Sequence, residues 1–178
     1  MLSYHSNLIA EHYFSSSWWE WPIMLRPVWY YSAVLSDTVG THIREGISAF
    51  GNPLVWWVGI PVTLYLIYLA CKKKDRIAVF LLISYLAQYL PWFFVTRITF
   101  IYHYFPSTVF IVLMITYALL QLKGSMNNCK FYLWLILYAA AAFGLCLLFY
   151  PVLSGQPVST LYVDYWLRWL DSWVLVAS

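Results

Sequence analysis

Charge is what this chain has least of. Only 10% of its 178 residues are Asp, Glu, Lys or Arg, while 63% are hydrophobic. A soluble domain carries about 25% charged residues, so lipid rather than water is the expected solvent. Cysteine is scarce too. Cys71, Cys129 and Cys146 have neither metal-ligand nor C-x-x-C spacing, which excludes a disulfide framework. The chain lacks a G-x-S-x-G elbow, a P-loop and an H-E-x-x-H helix. Residues 1–22 contain no uninterrupted apolar run and no basic leader, so no secretory signal is expected. The net charge is a modest +3, and the bases gather beside apolar runs, which argues against nucleic acid as a partner.

What is abundant is apolar sequence in four long spans: Leu54 to Cys71, Ile77 to about Val95, about Ile101 to Leu122, and Phe131 to about Leu153. At about 1.5 Å of rise per residue each can cross a hydrocarbon layer of roughly 30 Å. Backbone polar groups find no water there, so the spans must be helices. They do not alternate apolar and polar residues, as membrane strands would. The expected fold is all-α and integral to the membrane, with four transmembrane helices and aromatic-rich external segments. Three regions follow: residues 1–50 as an external interfacial segment, 51–153 as the four spans, and 154–178 as an external tail.

Orientation is legible in the lysines. Lys72, Lys73, Lys74 and Arg76 fill the loop after the first span, and Lys123 and Lys130 flank the loop after the third. The positive-inside rule places both loops on the cytoplasmic side and both termini outside. Trp and Tyr crowd residues 1–53 and 154–178, the composition of an interfacial belt. An interfacial helix or re-entrant segment is expected within 1–50, with a helix over residues 2–14 and a polar turn from Asp37 to Gly46. The tail 161–176 is expected to lie on the membrane surface, with Arg168 and Asp171 paired at i,i+3.

Three external cations stand out. Arg97 ends the second span. An arginine there is kept for a partner or a task, and guanidinium matches phosphate oxygens in a bidentate way. It can equally snorkel to headgroups. His103 lies six residues on, able to orient a phosphate or an acceptor hydroxyl, or to pair with a tyrosine. Arg26 stands between Pro22 and Pro27, which fix the local backbone. Its alternative is a salt bridge to Glu20 or Glu11. His5, His12, Trp21, Tyr102 and Tyr104 complete the expected external surface. His5 and His12 share a helical face, but no recognised metal-ligand spacing joins them to Glu11 or Glu20. Ser84, Gln88 and Pro91 fall on one face of the second span, suited to helix packing and interhelical hydrogen bonds.

Several longer runs carry a resemblance. Tyr4-His5, His12-Tyr13, the run from Trp21 to Tyr31, Gly51-Asn52-Pro53-Leu54-Val55-Trp56-Trp57, the run Arg97 to Pro106, and Tyr150 to Gly155 occur in order along nearly the whole chain. Together they resemble the C-terminal four-span region of protein O-mannosyltransferases that use polyprenyl- or dolichyl-phosphate mannose. The resemblance implies a part of a lipid-carrier (GT-C type) glycosyltransferase fold. It implies transfer of mannose from the phospholipid carrier to Ser or Thr of a translocating protein, with inversion at the anomeric carbon and without a metal or other cofactor. In that family the catalytic acid belongs to the N-terminal half, and no acid of this chain matches it. No catalytic residue is therefore assigned here. The implied partners are the polyprenyl-phosphate sugar, a secreted acceptor protein, and the N-terminal half of the enzyme or a separate membrane subunit. The membrane would be the plasma membrane of a bacterium or the endoplasmic reticulum of a eukaryote. The alternative is a non-catalytic membrane module that binds lipid phosphate or scaffolds a partner. A transporter is a weaker third reading, because membrane-centre acids and paired broken helices are not evident.

Overall fold

The computed structural model describes residues 12–38, 41–124 and 126–176. The expected helix over residues 2–14 and His5 therefore lie at or outside the edge of the described residues. The chain divides into two compact units: residues 51–95 with 104–145, and residues 1–50 with 96–103 and 146–178.

The first of these holds most of the apolar helices. Helix α1 spans Pro53–Lys73, α2 Arg76–Tyr89, α3 Phe105–Lys123 and α4 Asn128–Ser154. With the 3-10 turns at Leu90–Phe94 and Ile101–Tyr104, four helices among the described residues are long and apolar enough to cross a membrane: Pro53–Lys73, Arg76–Phe94, Ile101–Lys123 and Asn128–Ser154. These coincide with the expected spans to within a few residues. The chain is an integral membrane protein.

Local chemistry sets the helix ends. Asn52 caps α1 by accepting the Leu54 N–H at 3.0 Å, and Pro53 fills the first position, where its missing N–H costs nothing. The Asn52 amide donates to the Ala142 carbonyl at 2.8 Å, tying α1 to α4. Lys72 and Lys73 meet the negative end of the α1 dipole. Lys74 then turns the chain in the left-handed region (φ 51°), and Asp75 opens α2 by accepting the Ile77 and Ala78 N–H groups at 2.9 and 3.1 Å.

Close approach of α1 and α3 depends on Gly59. A Cβ at that position would stand 2.7 Å from Ile111 Cγ2, so any larger residue forces the helices apart. Beside this contact the Trp56 indole donates to Thr108 Oγ1 at 3.0 Å. Tyr85 and Tyr104 share a hydroxyl hydrogen bond of 2.7 Å that joins α2 to the start of α3. Ser84, expected to bond a neighbouring helix, instead donates to Phe80 O of its own helix at 2.9 Å.

The second unit departs from the sequence reading. Neither an interfacial helix nor a re-entrant segment forms over Val28–Ala49. Strand β1 (Val28–Thr38) pairs antiparallel with β2 (Thr41–Ala49), from Val28 opposite Ala49 to Thr38 opposite Thr41. Asp37 to Gly46 is thus mostly strand rather than a polar turn. A short third strand, β3 (Val158–Ser159), pairs with Ile43 and Arg44 of β2. The tail does not continue as one helix. After a π-helical turn at Val163–Leu167 the backbone breaks at Arg168 (ψ 82°) and runs back to the hairpin. There Ser48 Oγ donates to Leu175 O at 2.7 Å, and the Trp29 indole donates to Val174 O. Arg168 pairs with Asp164 at 2.9 Å, not with Asp171. Trp21, Met24, Trp173 and Leu167 are fully buried in this unit.

Candidate functional site: a cation-lined cavity

Ser15–Ser17 and Thr96–Thr99 are held side by side by a reciprocal pair of hydrogen bonds. The Ser16 N–H donates to Thr99 O at 2.9 Å, and Thr99 Oγ1 donates back to Ser16 O at 2.8 Å. Thr99 and Ser16 are buried, so this link excludes water and fixes the segment that carries Arg97. Ser16 Oγ accepts the Trp21 indole N–H at 3.0 Å, which anchors the next turn as well.

Arg26 approaches from the other side of this turn. Its Nε lies 3.6 Å from Glu20 Oε1, and its Nη1 donates to Ser15 O at 3.4 Å. Glu20 is itself buried and accepts the Ser17 N–H at 2.5 Å. The pairing of Arg26 with Glu20, one of the two partners open to it in the sequence, is therefore present. It leaves the guanidinium half exposed.

The result is a cavity of about 470 Å³ lined by Ser15, Ser16, Ser17, Trp19, Glu20, Arg26 and Thr96–Thr99. Arg97 is exposed on its wall, and among the described residues no carboxylate pairs with it. A second cavity of about 650 Å³ shares Arg26 and Ser15 and adds His12, Tyr13, Phe14, Pro27 and Ser172. Two guanidinium groups, one of them without a carboxylate partner among the described residues, therefore face a polar volume with hydroxyl groups around it. Such a set suits an anionic, oxygen-rich group, because guanidinium donates two parallel N–H bonds to phosphate or carboxylate oxygens.

The remaining expected residues fall differently. The His103 ring stacks 4.4 Å from Tyr102 and 6.0 Å from Trp21, with Nδ1 2.9 Å from Phe100 O. It serves the aromatic cluster beneath the Arg97 segment and is not among the residues lining either cavity. His12 is exposed and meets Phe100 edge-on at 5.0 Å. Tyr102 stacks on Phe100 at 5.5 Å and lies 6.0 Å from Tyr30. Burial, then the neighbouring Tyr102, pushes the Tyr30 hydroxyl pKa up. Trp21 and Tyr104 are corrections: they are 0% and 1% exposed, so both are core residues rather than displayed surface. Aromatic composition could not distinguish the two roles.

One cation escaped sequence reasoning. Arg44 is 5% exposed and donates through Nη1 and Nη2 to Asp37 Oδ1, both at 3.1 Å. Hydrogen bonds from His42 and then Arg44 hold the Asp37 carboxyl below its ordinary pKa. The signal was the alternation Arg44, Gly46, Ser48 on one face of a strand, which apolar periodicity does not reveal.

Residues 1–173 match the family model of the C-terminal four-transmembrane region of protein O-mannosyltransferases. The chain belongs to that family. It is 27% identical over 184 residues to a polyprenol-phosphate-mannose–protein mannosyltransferase of Corynebacterium glutamicum, an alignment covering 97% of this chain and 35% of the relative. It is 28% identical over 183 residues to the enzyme of the same name from Mycolicibacterium smegmatis, covering 96% and 35%. Protein O-mannosyltransferase 1 of Drosophila pseudoobscura is 25% identical over 198 residues, covering 96% and 21%. A chain from the structure of the S. cerevisiae protein O-mannosyltransferase Pmt1–Pmt2 complex bound to the sugar donor superposes with a TM-score of 0.74 at 20% identity. That match covers 96% of this chain and 25% of the yeast chain, and it shows the fold. The chain spans about a third of the length of its bacterial relatives.

Proposed function

We propose that this family member is the C-terminal membrane region of an enzyme that moves mannose from a polyprenyl-phosphate carrier to Ser or Thr of proteins. The cavity walled by Arg26 and Arg97 would take the carrier phosphate. One observation carries this reading: Arg97 is exposed, has no carboxylate partner among the described residues, and faces the same polar volume as Arg26. Departure of the sugar leaves negative charge on the lipid phosphate, and a preorganised guanidinium stabilises that charge. His103 would act by supporting the Arg97 segment through its stacking on Trp21 and Tyr102.

The base that activates the acceptor hydroxyl is proposed to come from elsewhere, either an N-terminal half or a separate membrane subunit. Four acids here are already engaged: Glu20 by Arg26, Asp37 by Arg44, Asp75 by Tyr117, and Asp164 by Arg168. The same engagement favours a second reading, a module that binds lipid phosphate without catalysing transfer. The lysine-rich loops support an arrangement with both termini and the cavity outside the cytoplasm. The membrane would be the plasma membrane in a bacterium or the endoplasmic reticulum in a eukaryote.

The test is deletion of the gene, followed by an assay of mannose transfer from polyprenyl-phosphate mannose to Ser/Thr peptides in isolated membranes. Loss of transfer, restored by the gene in trans, is expected. Undiminished transfer from a host with no second such enzyme would overturn the enzymatic reading.

A further inference from the structure

The four-helix unit holds a cleft of a different kind. It measures about 420 Å³, and its wall is wholly apolar. Val58 and Val62 of α1, Ile115 and Leu119 of α3, and Phe131 and Trp134 of α4 form its sides. Ligand sites run roughly 300–1,000 Å³, so the volume is sufficient for a chain-like apolar ligand. On α4, Trp134 of the cleft wall is exposed, as are the neighbouring Leu133, Ile136 and Leu137, whereas Phe131 is buried.

A cation marks one end of this cleft. Lys123 Nζ lies 5.8 Å from the centre of the Phe131 ring and 5.6 Å from that of Tyr132. Phe131 is itself cleft wall. Lys130 directly precedes Phe131 at the start of α4, and both lysine residues are exposed. Apolar wall and the Lys123 ammonium thus meet at Phe131. A zwitterionic phospholipid, whose phosphate is offset by its own cation, gains less from it than an anionic one. An anionic phospholipid needs both, because its acyl chain requires a groove among helices and its phosphate requires a base at the interface. Basic pockets between transmembrane helices recognise anionic headgroups in this way.

We propose that the cleft between α1, α3 and α4 is a binding site for an anionic membrane phospholipid. One acyl chain lies along Val62, Ile115 and Leu119, and the headgroup phosphate lies at Lys123 and Lys130. The site is separate in residues from the Arg26–Arg97 cavity and does not depend on the function proposed for it.

The experiment is native mass spectrometry of the full chain purified in neutral detergent and titrated with phosphatidylglycerol or with phosphatidylcholine of the same acyl chains. Preferential retention of phosphatidylglycerol is expected. Lys123→Gln should reduce that preference about fivefold, and Lys123→Gln with Lys130→Gln more. Leu119→Trp, which fills the cleft, should reduce retention of both lipids, while circular dichroism reports unchanged helix content. Equal retention of the two lipids, or a preference insensitive to both lysines, would overturn the proposal. So would displacement of phosphatidylglycerol by equimolar polyprenyl phosphate, which would make the cleft a carrier site instead.

Discussion

Tyr117 of α3 donates its hydroxyl to the Asp75 carboxylate at 2.5 Å, across the loop that separates α1 from α2. The other oxygen of that carboxylate caps α2. Gln121 Nε2 completes the cluster, 2.6 Å from the Tyr117 oxygen and 3.4 Å from Asp75 Oδ2. One acid therefore starts a helix and fastens it to a neighbour.

This cluster predicts an acid-sensitive melt. The Tyr117 hydrogen bond first, then the α2 amide groups, lower the Asp75 pKa in the folded state. A depressed folded pKa gives stability that is complete above the ordinary carboxylate value and is lost as pH falls through the folded one. The melting temperature in detergent should therefore fall as pH drops below about 4. Tyr117→Phe should lower it at neutral pH and flatten that acid slope. An identical slope in the variant would remove Asp75 as the cause.

Lys74 sits at the end of α1 with φ 51°, a conformation unfavourable for any residue with a Cβ. Lys74→Gly should stabilise the fold by about 0.5–1 kcal/mol. Thermal unfolding by tryptophan fluorescence would read the gain, and a loss would mean that the ammonium itself matters.

Trp173 is fully buried and donates its indole N–H to Met24 O at 2.6 Å. Met24 occupies the left-handed region at φ 53°, so this bond helps hold a strained turn. Trp173→Phe should cost about 1–3 kcal/mol, because a buried carbonyl loses its donor. Protease nicking between Trp21 and Arg26 should rise accordingly. Equal resistance would show that the turn holds without the tail.

Gly59 and Ile111 should behave as a coupled pair. Gly59→Ala introduces a Cβ 2.7 Å from Ile111 Cγ2 and should lower the melting temperature. Ile111→Ala removes that methyl, so the double variant should lose less than the sum of the single losses. Simple additivity would contradict the close approach.

The parts read well from sequence are those that lipid enforces. The expected span from Leu54 to Cys71 is α1 at Pro53–Lys73, and the fourth span is likewise found a few residues longer, at Asn128–Ser154. The hairpin was hidden because its faces invert the usual pattern. Arg44, Gly46 and Ser48 point inward, while Tyr30, Tyr31, Val34, Leu35 and Ile47 are exposed. Arg168 was given the wrong partner because i,i+3 geometry requires a continuing helix, and the backbone leaves helical geometry at that residue. In the candidate site, Arg26 and Arg97 were evident as cations in unusual settings. The Ser16–Thr99 pair of hydrogen bonds that fixes the Arg97 segment joins residues far apart in sequence, which no local pattern encodes.

The most direct test of the account is mannose transfer by membranes carrying Arg97→Ala or Arg97→Lys, with protein accumulation measured alongside. Losing a bidentate contact to phosphate should reduce transfer about 10- to 100-fold in the alanine variant. Lysine, which keeps the charge but not the fork, should recover only part of the loss. Wild-type transfer by Arg97→Ala at normal abundance would contradict the phosphate role and return Arg97 to the status of an arginine anchored in headgroups.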